Sequence, residues 1–134
     1  MKKTQEKILN NAIRLFNRKG VSNVRLQDIA ANAGISAGNL SYRYKTKKDL
    51  MEAVLEFMAI AFKAMSSKNM AFVEQDDYLS VVKNYLRFQI GHRFFYRDIL
   101  EIISLVPEAK TMFEKQMQQV LSFTKNGMLS LIHI

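Results

Sequence analysis

Residues 26–44, LQDIAANAGISAGNLSYRY, constrain the fold of this chain more than any other stretch. Leu26, Ile29, Ala30 and Ala33 recur at helical spacing and mark the buried stripe of a short helix. Gly34 follows at once, where a helix C-terminus favours a residue that tolerates the left-handed conformation. Ile35 is placed to plug the angle to a second helix. The Ser36 hydroxyl can cap that helix by accepting from a free backbone N–H. Leu40 and Tyr44, four apart, give the second helix its inward face, and Ala37, Asn39, Ser41, Tyr42 and Arg43 are left outward or sideways. A second helix with such a face, beside a small-residue turn, is built to enter a DNA major groove. Plain helical hairpins in small bundles share the pattern, so the surroundings decide.

Charge distinguishes the two readings. The net charge of +8 is not spread evenly. Residues 1–48 hold eleven Lys/Arg and two acids, a balance of +9, and the remainder carries −1. All the excess charge therefore sits in the third that contains the helix pair, as expected of a protein that meets a phosphate backbone. A solvated basic surface or attraction to an anionic membrane is the plainer alternative. A membrane-surface helix needs a larger exposed apolar face than this pair offers.

Read in order, the chain predicts an all-α fold: a three-helix head followed by about four helices. Ile8, Leu9, Ala12, Ile13 and Phe16 form one apolar stripe of a first helix over 4–19, stopped by Gly20. Thr46 and Asp49 match a capping box, so a helix starts near Lys47 and is expected to run to about Ser66. Its apolar residues include Leu50, Val54, Phe57, Met58, Ala61, Phe62 and Met65, a face wide enough to require further helices. Residues 67–75 read as a helix end and loop, and Asp76 and Asp77 as caps for a fifth helix over 78–91 with Leu79, Val82, Leu86 and Ile90 inward. A sixth helix is expected over 94–106. A seventh is expected from Pro107 to about Leu131, bearing Met112, Phe113, Met117, Val120, Leu121 and Phe123. The domain expectation is a DNA-binding head over 1–46 and an incomplete effector-binding and dimerisation region over 47–134.

Several functions find no support. The chain has no cysteine, which excludes disulfides and Cys-based zinc sites. His92 and His133 are far apart, and there is no nucleophile elbow, P-loop or metal-ligand spacing, so no catalytic residue, metal or cofactor is expected. His92 reads as a surface or satisfied core residue, and Asp76-Asp77 as a cap rather than an acid/base pair. The segment 34–38, GISAG, is a helix turn and not a phosphate cradle, because no strand precedes it. No charge-free apolar run approaches the roughly 18 residues of a membrane span. The N-terminus lacks the apolar core of a secretory signal. The expectation is a soluble, cytoplasmic protein with no membrane partner.

Four segments, ILNNAIRLFNRKG, DIAANAGIS, GNL and TKKDL, together resemble the DNA-binding head of the tetracycline-repressor (TetR) family over about the first 58 residues. The resemblance implies a homodimeric repressor. Each head would place its third helix in the major groove of a double-stranded operator. A C-terminal helical domain would bind a small effector and, through the fourth helix, change the distance between heads. By family position, Arg25 and Gln27 can reach phosphate or a base edge, and Ser36, Ala37, Asn39, Ser41, Tyr42 and Arg43 belong to the recognition helix or its cap. Lys47 stands at the family's phosphate-binding lysine, beside the free N–H groups of a helix N-terminus. Asn39 can pair with adenine, and Arg43 can meet guanine or a phosphate. Tyr42 has two readings, a phosphate or sugar contact and a filler of the crease against helix one.

Two substitutions depart from the common family pattern: Ser41 stands where many members have Tyr, and Arg25 where many have Thr or Ser. Members also continue for two long helices that form most of the dimer interface. The usual four-helix dimer bundle is therefore expected to be absent or built from other helices. The effector is expected to be lipophilic, lined by Phe57, Phe62, Met65, Phe88, Phe95, Phe113 and Met117, with Met58 and Phe94 nearby; the plainer reading is that they fill the core. The remaining alternative function is a helical protein-interaction adaptor with an incidental basic head.

Overall fold

The computed structural model describes residues 3–132. Its regular elements are all helical. They are α1 Lys3–Lys19, a 310 turn Val21–Asn23, α2 Leu26–Ala33, α3 Ala37–Arg43, α4 Lys47–Glu74, α5 Tyr78–Gly91, α6 Arg93–Arg97, α7 Ile99–Leu105 and α8 Ala109–Ile132. Among the described residues no helix is long and apolar enough to cross a membrane.

The head is built around α1, which buries Ile8, Leu9, Ala12, Ile13, Leu15 and Phe16. Ile29, Ala30 and Ala33 from α2, and Leu40 and Tyr44 from α3 and its C-terminus, close on that stripe. The first turns of α4 complete the head core with Leu50, Met51 and Val54. Further along, Met58 and Phe62 enter a second layer with Val81, Tyr85 and Phe88 of α5, and α8 packs against α5 and α7. The two layers join where Phe16 meets Phe94 at a ring distance of 5.5 Å.

Several expectations need correction. First, α4 continues to Glu74, so residues 67–74 are helical rather than loop. The fully buried Asn69 shows why, because that turn is covered by α5 and tertiary packing overrides its weak apolar pattern. Second, the sixth helix is two helices, α6 and α7, broken at Asp98. The break lets the Asp98 carboxylate accept from the Val21 N–H at 3.1 Å. Third, α5 is rotated. Leu79, Val82, Leu86 and Ile90 are 64%, 44%, 52% and 64% exposed, and Val81, Tyr85 and Phe88 face inward. Both sets have helical spacing, but the inward set buries two aromatic rings against Phe62, at 6.0 Å for Tyr85 and 5.2 Å for Phe88. Leu121 on α8 and Ala61 on α4 are likewise exposed. Asp77 caps α5 as expected, with Ser80 N–H donating to it at 3.2 Å. Pro107 lies just before α8 rather than within its first turn. His133 and Ile134, the end of the apolar C-terminal run, lie outside the described residues.

Candidate nucleic-acid interface

The turn between α2 and α3 has the local chemistry that its residues dictate. Gly34 has φ +70° and ψ +31°, the left-handed conformation, and its N–H reaches the carbonyls of Ala30 and Ala31. The Ile35 N–H adds a bond back to the Ala30 carbonyl at 3.0 Å, which completes a Schellman-type stop. Ser36 then caps α3, its hydroxyl accepting from the Asn39 N–H at 3.0 Å. At the other end of α2, Arg25 offers no side-chain cap. Asp28 compensates, since its carboxylate accepts the Arg25 N–H at 2.9 Å and complements the helix dipole.

This geometry presents α3 edge-on to solvent. Leu40 is its one buried residue, and Ala37, Gly38, Asn39, Ser41, Tyr42 and Arg43 are exposed. The Arg43 Nε donates to the Asn39 Oδ1 at 3.2 Å, so the two side chains able to read a base edge form one unit. Tyr42 is 88% exposed, which removes the reading in which it fills the crease against α1. Arg25, the residue before α2, and Gln27 in its first turn are exposed, as are Lys45 and Lys48.

Lys47 differs from its neighbours. Its Nζ donates to the Val21 carbonyl, and partial burial lowers its pKa, opposed by the charge of Glu101. An ammonium has three donors, so those left over by this bond can still meet a phosphate. The α4 N-terminus beside it is closed by the expected capping box, with the Asp49 N–H on the Thr46 hydroxyl at 3.1 Å and the Thr46 N–H on the Asp49 carboxylate at 3.3 Å.

Residues 8–54 match the sequence model of "Bacterial regulatory proteins, tetR family". They form a TetR-family head. The TetR head is shared with longer proteins. The "Probable HTH-type transcriptional regulator YttP" of Bacillus subtilis (strain 168) is 30% identical over 78% of this chain and 55% of its own length. The "HTH-type transcriptional regulator AcrR" of Shigella flexneri is 40% identical over 40% of the chain and 25% of its own length. The chain thus spans about half the length of YttP. A crystal structure of a TetR-family transcriptional regulator from Marinobacter aquaeolei VT8 superposes with a TM-score of 0.70 at 24% identity, covering 98% of this chain and 64% of that one. That likeness concerns the fold.

Behind the TetR head lies a joint that the sequence reading missed. Asn17, near the end of α1, donates its amide to the Gly91 carbonyl at 2.7 Å and accepts the Phe94 N–H at 3.0 Å, so it stitches the break between α5 and α6 to the head. Arg97 donates to the carbonyls of Asn17 at 3.0 Å and Phe16 at 2.7 Å, placing a cation at the α1 C-terminus where the helix dipole favours it. Arg97 also bonds Asp98 at 2.9 Å, and this holds the Asp98 carboxyl below the usual carboxylate range. Both backbone polar groups of Val21 are held, its N–H by Asp98 and its carbonyl by Lys47. The one hint in the sequence was the adjacent opposite charges of Arg97-Asp98 inside an apolar segment.

The seven expected effector residues do not line one cavity. Phe62 lines a groove of about 840 Å³ between α4 and α8. Phe113 and Met117 line a separate groove of about 490 Å³ with Leu86 and Ile90. Phe57 and Met65 pack partly buried on the core, and Phe88 and Phe95 are buried within it. His92 stacks on Phe88 at 4.2 Å and bonds the Phe88 carbonyl at 2.8 Å, a satisfied position.

Proposed function

We propose that this chain is the DNA-binding head and adjoining ligand-binding region of a sequence-specific transcriptional regulator, a repressor released by a small lipophilic effector. The observation that carries this reading is α3. A family-matched helix-turn-helix leaves Asn39, Ser41, Tyr42 and Arg43 exposed together in the third of the chain that holds +9 of charge. In this reading, Asn39 and Arg43 read base edges. Ser36, Ala37, Ser41 and Tyr42 fit the helix against groove wall and backbone, and Arg25, Gln27 and Lys47 position the head on phosphates. The head comprises residues 1–46, and 47–134 belong to effector binding and dimerisation. The regulator acts in the cytoplasm as a homodimer on an operator of two half-sites. It carries no catalytic residue, because its task is differential binding.

The joint at Asn17, Val21, Arg97 and Asp98 supplies the means of release. It ties the head to α6 and α7, and α4 runs from the head past the groove, so a ligand that shifts α4 against α8 also moves the head. The direct test is binding to a duplex from the protein's own upstream region and to a random duplex of equal length. Wild type should favour the upstream duplex, and Asn39→Ala should narrow that preference by about 1–3 kcal/mol. Equal affinity for both duplexes in wild type would overturn sequence-specific regulation. Tight binding to a protein partner with none to DNA would favour an adaptor.

A further inference from the structure

The groove between α4 and α8 has two unlike ends. At one end the later turns of both helices meet, where Gln119 Nε2 donates to Ser66 Oγ at 2.7 Å. The earlier turns therefore lie toward the other end, and they bring Glu52 and Glu56 of α4 and Glu108, just before α8, into the lining. The walls between are apolar, formed by Leu55, Ala59, Phe62, Val106 and Met112. Leu55, Phe62 and Val106 belong to the buried core, so this wall is held from behind. The groove's volume of about 840 Å³ is that of a small-molecule site.

Two independent observations bear on an occupant. The first is Gln116, which lines the groove from α8 and is only 4% exposed. Its Oε1 accepts from the Tyr96 hydroxyl at 2.9 Å, and its Nε2 has no hydrogen-bond partner among the described residues. An amide nitrogen carries two donors, and buried polar groups are paired in roughly nine cases of ten. The free donors of Gln116 thus call for an acceptor that comes from the groove. The second observation is charge. Glu52, Glu56 and Glu108 stand in the lining against one lysine, Lys115. Lys48 meets Glu52 at 4.0 Å, but both side chains are about half exposed, and such pairs are weak. A cleft of one sign with low-dielectric walls gathers ions of the other sign. The carboxylates favour a cation, the walls require that it be borne on a lipophilic body, and Gln116 requires an acceptor atom on that body.

We propose that the groove between α4 and α8 binds a lipophilic cation: its ammonium group lies among Glu52, Glu56 and Glu108, its aromatic body lies along Leu55, Phe62 and Met112, and an oxygen on that body accepts from the Gln116 amide. The proposal rests on the reading of residues 47–134 as effector-binding, and it narrows the effector's class from lipophilic to lipophilic and cationic. In the sequence, Glu52 and Glu56 have the spacing of an ordinary solvated helix face, and only the fold sets Glu108 in the same groove.

Three probes test it. (4-Benzoylbenzyl)trimethylammonium is a permanent cation with an aromatic ketone. 4-Neopentylbenzophenone is its neutral isostere, with carbon in place of nitrogen. (4-Benzylbenzyl)trimethylammonium keeps the charge and lacks the ketone oxygen. Equilibrium dialysis against the full chain should show the first binding about tenfold more tightly than the second and about threefold more tightly than the third. Glu52→Gln, Glu56→Gln and Glu108→Gln, made together, should reduce the preference for the cation over its isostere to less than about threefold, with the helical circular dichroism unchanged. Illumination of the bound ketone should label peptides of α4 or α8 that line the groove. Equal affinities for the cation and its isostere, a preference that survives the triple substitution, a ketone that makes no difference, or labelling confined to other peptides would each overturn the proposal. Equal affinities with the label on the groove peptides would leave a lipophilic effector standing, whereas absence of binding by all three probes would remove both readings. The assay contains no DNA, so none of these outcomes touches the DNA-binding reading.

Discussion

Asn17 carries more than its size suggests. Its amide satisfies a carbonyl and an N–H at the break between α5 and α6 from a position on α1, and it is 8% exposed. Asn17→Ala would leave the buried Phe94 N–H without a partner, at a cost of about 1–3 kcal/mol; urea denaturation with both variants at one pH measures it. His92 gives a pH signature. Burial lowers its pKa below the ordinary 6.5, against the pull of the Phe88 carbonyl. Below about pH 6.5 the unfolded chain takes up a proton that the folded chain refuses, so the stability contributed at higher pH is lost as pH falls toward the depressed value. Melting curves from pH 8 to 5 should show wild type losing stability across that window more steeply than His92→Gln. Parallel curves would show that His92 is not the group responsible.

At the scale of elements, the helix-turn-helix obeys local rules and was legible. Gly34 adopts the left-handed conformation its place requires, and an added Cβ would meet only the end of the Lys7 side chain at 3.8 Å. The cost of Gly34→Ala is then backbone strain, about 1–2 kcal/mol, and Gly34→Asn should cost less; thermal melts of the two variants rank them. The face of α5 was not legible, because its apolar residues cover a broad arc opposite Ser80, Lys83, Asn84 and Arg87, and two stripes within that arc share helical spacing. The neighbours decide, and sequence periodicity does not name them. Leu86→Glu and Ile90→Glu should each change stability by less than about 0.5 kcal/mol, whereas Phe88→Ala should cost about 3–5 kcal/mol. Chemical denaturation of the three variants checks the assignment, and a costly Ile90→Glu would contradict it. The break at Asp98 escaped the sequence for a similar reason, since its cause is a bond to Val21, 77 positions away. The exposed face of α3 was legible because a short helix with one buried residue leaves the others outward.

At the scale of the whole molecule, the chain divides its work between a basic head and a nearly neutral helical layer, joined through α4 and the Asn17–Asp98 joint. In the proposed function α3 reads sequence while the basic residues around it hold phosphate. These two roles respond differently to salt and to sequence, so one salt series on an upstream and a random duplex separates them, using wild type, Asn39→Ala and Lys45→Ala. For wild type the logarithm of the binding constant should fall linearly with the logarithm of salt, by about 0.9 per phosphate neutralised. Lys45→Ala should lessen that slope by about one and weaken both duplexes alike, and Asn39→Ala should keep the slope and narrow the gap between duplexes. Absence of binding at low salt, or a gap between duplexes untouched by Asn39→Ala, would contradict the account.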